Sequence, residues 1–259
     1  MTAPTARQHR KQLAPSLRWQ NLQGIHLHTL FWAPGDPNWR IGFVFAVGAK
    51  LFALASFGYL VPTGVPEWLR SPEALNLVYF LGSIPFTLAA LLQLLQAETS
   101  GAHPAVATGQ GSWRWRSTGW MSSATQFAGT LLFNVNTFNA MRGEGGWWVI
   151  DLEVWLPDLL GSVLFLVSGY LAYKEVVPEG PAWEPQFIES VITHSNFAGC
   201  IAFMISAVLA VTLPSGMPAG LVTVSILFTL LGALGFLLGA VLLMVEAAIS
   251  RAHTGLAGL

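Results

Sequence analysis

One nine-residue pattern occurs six times, and each copy lies in a hydrophobic stretch. The copies begin at Gly48, Gly82, Gly129, Gly161, Gly199 and Gly232. Glycine comes first and a small residue second. Phenylalanine is fifth, as Phe52, Phe86, Phe133, Phe165, Phe203 and Phe236. Small or short polar residues fill the eighth and ninth places. A pattern that keeps returning small residues to apolar segments constrains the chain to closely packed helices.

Composition places those helices in a membrane. The chain has 259 residues, of which 53% are hydrophobic and only 10% charged, where soluble domains carry about 25% charged residues. Mean hydropathy is +0.56. A net charge of −1 supplies no basic field for nucleic acid. The single cysteine, Cys200, cannot form an intramolecular disulfide. Residues 1–40 contain no continuous apolar run of the secretory type, so the first span is expected to act as an uncleaved anchor.

Six segments are predicted to span: 41–61, 75–97, 119–141, 156–177, 190–212 and 220–248. Each approaches or exceeds the ~20 apolar residues a span needs. This gives an all-α, polytopic six-helix bundle over 41–250, a cytoplasmic N-terminal segment 1–40 and a short tail 251–259. The connections are short and several are rich in proline, so consecutive helices are expected to pack antiparallel. Arg7, Arg10, Lys11, Arg18, Arg40, Arg114, Arg116, Lys174 and Arg251 fall on one side of this arrangement, and only Arg70 and Arg142 on the other. The positive-inside rule then puts both termini in the cytoplasm. Trp39, Trp68, Trp120, Trp147, Trp148 and Trp155 sit near predicted helix ends, where amphipathic rings prefer to lie. Residues 17–32 are too short and polar to span, and read as an interfacial helix or a partly ordered tail.

Helical geometry puts the conserved positions of the pattern on one stripe. With the glycine at the origin and about 100° per residue, the second, fifth, eighth and ninth residues fall at about 100°, 40°, 340° and 80°. Small residues on such a stripe let membrane helices approach, and each phenylalanine is expected to fill the space left by a neighbour's glycine. The residue three before the glycine joins the stripe at about 60°. It is Tyr79, Gln126, Asp158, Asn196 and Thr229 in helices two to six, and Phe45 in the first. Because helices alternate in direction, two polar layers are predicted. Tyr79, Asp158 and Thr229, with Asn136, lie toward the outside; Gln126, Asn196 and Gln93 lie toward the cytoplasm. The plain role of these groups is interhelical hydrogen bonding, at about 0.6 kcal/mol each.

Lys50 departs from the rule. It sits near the middle of the first span, where a charge costs at least about 2.5–3.5 kcal/mol, and at about 200° it lies opposite the stripe. Three readings follow: snorkelling to a headgroup, pairing across an oligomer interface, or a rotated first helix lining a cavity. A Schiff-base lysine is chemically possible, but no other residue points to a chromophore. Asn134, Asn136 and Asn139 crowd the outer half of the third helix without sharing a face. Asp158 also suits the start of a helix, and Asp151 and Glu153 add negative charge nearby. Glu246 is a second intramembrane acid, with Arg251 or Lys174 as possible partners. His26, His28 and His194 fit no metal-ligand spacing, and phosphate-binding, dinucleotide and nucleophile-elbow motifs do not occur.

The segments Tyr79–Phe86, Gln126–Phe138 and Leu160–Ala172 resemble a group of bacterial integral membrane proteins and the shorter YrhK-like modules, with their Leu-x-Gly-Ser-x-x-Phe helices. The resemblance covers about residues 75–250. It implies a helical bacterial membrane protein and carries over no functional residue.

The expected function is therefore a non-enzymatic component of the bacterial inner membrane. It would act in binding or assembly, as a homo-oligomer or a subunit of a larger complex, with the lipid bilayer as its surroundings and no nucleic-acid partner. A small-solute or ion transporter using the two polar layers is the alternative, and a lipid- or pigment-binding protein a third. The cofactor, if there is one, is unknown from sequence.

Overall fold

A computed structural model describes residues 31–100, 117–142, 145–176 and 183–256. Most of the segment 17–32, the basic residues Arg7, Arg10, Lys11, Arg18, Arg114 and Arg116, and the last residues of the tail lie outside them. Among the described residues the long elements are all helices: α1 (Pro37–Leu60), α2 (Pro72–Ser100), α3 (Thr118–Arg142), α4 (Leu156–Val176), α5 (Ile188–Leu209) and α6 (Ala219–Leu256). A helical turn, Trp147–Ile150, and a π-helical segment, Asp151–Trp155, lead into α4.

Local chemistry sets several helix boundaries. Asp36 caps α1, its Oδ1 accepting from the Asn38 N–H at 2.7 Å and the Trp39 N–H at 3.3 Å. Pro37 occupies the first helical position, where no N–H is needed. The cap moves the start of α1 ahead of the residue 41 expected from hydropathy. α2 opens in the same way, with the Ala74 N–H donating to Ser71 Oγ at 3.2 Å just after Pro72. α6 has 38 residues and runs about 57 Å at 1.5 Å per residue, well beyond the ~30 Å of a bilayer core. Its later part packs Ala247 and Ala248 against Trp39 and Ala33.

Each helix packs against its sequence neighbours, and α6 returns to pack against α1, closing a six-membered ring. Contacts such as Gln96 to Asn38, Asn76 to the Ala140 carbonyl and Trp155 to the Ala207 carbonyl make neighbours antiparallel. The near end of the ring is where α1 begins; the far end is where it finishes.

The glycines of the pattern make close reciprocal approaches within consecutive pairs. A Cβ placed on Gly48 of α1 would lie 2.9 Å from the Gly82 carbonyl of α2 and 2.8 Å from Phe86; one on Gly82 would lie 3.2 Å from the Gly48 carbonyl and 2.8 Å from Phe52. Gly129 and Gly161 stand in the same reciprocal relation between α3 and α4, as do Gly199 and Gly232 between α5 and α6. In each pair the phenylalanine of one helix covers the glycine of the other, as the stripe predicts.

Past those glycines the phenylalanines meet. Phe52, Phe86, Phe133, Phe165, Phe203 and Phe236 are all buried in one central cluster. Phe133 meets Phe165 at 4.9 Å, Phe203 meets Phe236 at 5.5 Å and Phe52 meets Phe86 at 5.4 Å. Edge-to-face pairs then join these: Phe86 to Phe236 at 5.9 Å and Phe165 to Phe236 at 5.7 Å. Such geometries suit the ring quadrupoles. The residual cavity among them is about 10 Å³, no more than one water needs. The middle of the ring is filled.

The outside of the ring is apolar. Ile84, Leu131, Val163, Ile201 and Leu234, which share one position of the pattern, are 39–48% exposed. Helices α1, α2, α5 and α6 are long and apolar enough to cross a membrane. The other two carry more polar groups. α3 holds Ser122, Ser123, Thr125, Gln126, Asn134, Asn136 and Thr137; α4 has Asp158 near its start and Lys174 and Glu175 near its end, which confines its uncharged stretch to 159–173.

Candidate functional site

Three features emerge from this ring: a polar layer on each side of the phenylalanine plug, and a lysine outside. The far-end layer is built by α2, α4 and α6, which alternate around the ring. Each places the residue three before its glycine on the inward face, giving Tyr79, Asp158 and Thr229. Tyr79 rests edge-on against the Phe52 ring at 5.3 Å, and its hydroxyl lies 2.8 Å from Ser56 Oγ. Thr229 Oγ1 lies 2.7 Å from Ser206 Oγ. All three residues are only half-buried although they face inward.

The π-helical segment fixes how α4 enters this layer. Asp151 Oδ1 accepts from the Thr212 N–H at 2.8 Å, Asn139 Nδ2 donates to the Glu153 carbonyl at 2.8 Å, and Trp155 Nε1 donates to the Ala207 carbonyl at 2.9 Å. The Asp151 carboxylate and the Glu153 backbone carbonyl are thus engaged at the rim, and Asp158 lies further along the chain in α4. π-turns commonly mark functional positions.

Asn136 is half-buried on α3, but its neighbours make the interhelical bonds there. Asn134 Nδ2 donates to Thr87 Oγ1 at 2.8 Å, and Thr137 meets Ser83 Oγ at 3.2 Å. The near-end residues Gln93, Gln126 and Asn196 are also half-buried at inward register positions. α6 passes Asn196 with Gly239, whose lack of a side chain leaves room for the amide. Glu246 is half-buried further along α6. His194 Nδ1 lies 2.7 Å from the Ser190 carbonyl, and its ring meets Trp183 and Tyr173. Among the described residues no group of three His, Cys, Asp or Glu side chains converges.

Lys50 is exposed on the outside of α1. It stands in line with Phe43, Val47, Leu54 and Phe57, all exposed, at spacings that keep one face of a helix. The rotated-helix reading, in which Lys50 lines a cavity, is therefore excluded by its position.

Sequence reasoning missed the serines that join the helices. Ser56 and Ser206 occupy the ninth and eighth places of their copies and tie α1 to α2 and α5 to α6. Ser168, at the eighth place of the α4 copy, exchanges bonds with Ser122, which donates to the Ser168 carbonyl at 2.9 Å while Ser168 donates to the Ser122 carbonyl at 2.7 Å. The signal was present, because these places admit short polar residues as well as alanine or glycine. Space alone explained them until the polar partners were seen.

Taken together, fold and site define a class: an all-helical ring bundle with helices able to cross a membrane, a closed aromatic centre and an apolar exterior. No family model, curated protein or solved structure matches the chain.

Proposed function

We propose that the chain is a six-pass protein of the bacterial inner membrane with both termini in the cytoplasm, and that it works by binding and assembly rather than catalysis. The observation that carries this reading is Lys50, exposed on an otherwise apolar outer stripe of α1. An intramembrane charge on that face needs a partner outside its own bundle or a reach to the headgroups. Near the middle of a span the reach is long, so a contact with a second copy or another membrane subunit is the better account. The filled centre agrees, since a bundle plugged by six phenylalanines offers its exterior and not its axis.

Native mass spectrometry of protein extracted in mild detergent tests the proposal. Lys50→Leu is expected to lose a copy or partner that wild type retains. An unchanged assembly state in the variant removes the contact role.

A second reading has its own support. The inward polar layers on both sides of the plug suit a small-solute or ion transporter in which the phenylalanines form a hydrophobic gate. That reading requires the plug to part.

A further inference from the structure

We propose that the outer face of α1 docks a membrane helix of a different chain, one that carries an aspartate or glutamate at the depth of Lys50. This rests on the contact reading of Lys50 given above and adds the chemistry of the partner. Arg40, Phe43, Val47, Lys50, Leu54 and Phe57 are exposed and follow one another at three- or four-residue spacing, so they form a single outer stripe. Lys50 lies ten residues from the nearer end of α1 at Leu60, about 15 Å along the axis. A lysine side chain is too short to carry its ammonium over that distance to a headgroup.

The surface of the ring shows what a second copy could offer. Reciprocal glycine contacts and the shared phenylalanine cluster hold the six copies of the pattern at one level. Ile84, Leu131, Val163, Ile201 and Leu234 therefore mark the depth of Lys50 on the other five helices. Within two turns of each, every exposed helical residue is apolar or aromatic. The nearest exposed carboxylates among the described residues, Glu73 and Glu153, stand eleven and ten residues before Ile84 and Val163, roughly 15 Å away along the axis. Asp158 is closer in depth, but it lies about 140° around α4 from Val163, at the inward register.

Copies of one chain insert at the same depth and in the same direction. A two-fold contact through α1 would bring the two Lys50 residues together, and like charges repel strongly in a medium of low dielectric constant. A contact between α1 and any other face of a second copy would set Lys50 against apolar side chains. Neither arrangement supplies a counter-charge. Intramembrane charges pair because an isolated one is costly there, so a carboxylate on a different chain is what this face fits.

The test reconstitutes full-length protein, with a fluorescent label at its C-terminus, into phosphatidylcholine liposomes. Labelled single-span polyleucine peptides with one central Glu or none are titrated in, and energy transfer is followed. Wild type is expected to take up the Glu peptide saturably and the all-leucine peptide only to the level of chance proximity. Lys50→Leu should weaken the Glu peptide about tenfold, as expected for one hydrogen bond between charged groups. Equal uptake of the two peptides, or an unchanged midpoint in Lys50→Leu, overturns the acidic partner. Energy transfer between two labelled copies that Lys50→Leu abolishes also overturns it, in favour of a second copy, and leaves the contact reading standing. Phosphatidylglycerol retained by wild type and lost by Lys50→Leu in native mass spectrometry overturns both in favour of a headgroup.

Discussion

Phe165→Ala is expected to destabilise the protein by about 3–5 kcal/mol, the cost of emptying a large aromatic site in a packed core. Phe165 is 1% exposed and touches Phe133 and Phe236 across the axis of the ring. It also covers Gly129, where an added Cβ would lie 2.7 Å from its ring. In a membrane the loss is mainly one of contacts, because lipid is as apolar as the side chain. The alanine would join its void to the small existing cavity, and the surrounding rings belong to different helices, so collapse would have to move several at once. Val167→Ala on the same helix is the control. Val167 is 42% exposed, and its truncation should cost less than about 1 kcal/mol. Thermal unfolding of both variants in the same detergent gives the comparison.

Gly48→Ala should cost about 1–3 kcal/mol, as overpacking does where the neighbours cannot yield. The methyl would press on the Gly82 carbonyl at 2.9 Å and on Phe86. Phe86 belongs to the plug, and the carbonyl belongs to a helix backbone, so neither has a free direction to move. Gly220→Ala has nothing within 4 Å and should be neutral or slightly stabilising, since alanine favours a helix. Equal Tm changes for the two variants would mean that the reciprocal glycine contact does not set the spacing of α1 and α2.

Much of this architecture was legible because the pattern has helical phase. The stripe angles placed Phe52 and its five counterparts on the packed face, and placed Lys50 on the opposite one. The polar position three before the glycine was legible for the same reason, and it put Tyr79, Asp158 and Thr229 at one register of three helices that run in the same direction. Periodicity fixes the direction in which a side chain points but not the neighbour it meets. It therefore left open that α6 returns to α1, and that the six aromatic rings fill one central cluster rather than separate interhelical gaps. The serine bonds were hidden for a different reason. At Ser56, Ser168 and Ser206 a small volume and a hydroxyl serve the same place, and only the partner distinguishes them. The π-helical segment before Asp158 leaves no mark in hydropathy, and its Asp151, Glu153 and Trp155 bond to partners distant in sequence on α3, α5 and the turn beyond α5.

These features bear on function through one question, whether the ring conducts. The plug separates the polar positions at the two ends of the ring. The most direct measurement is K⁺ flux into liposomes reconstituted with the wild-type protein, with valinomycin added at the end to show that the vesicles are sealed. A filled ring predicts flux no greater than in protein-free liposomes. Saturable, protein-dependent flux would contradict the closed centre and with it the assembly reading.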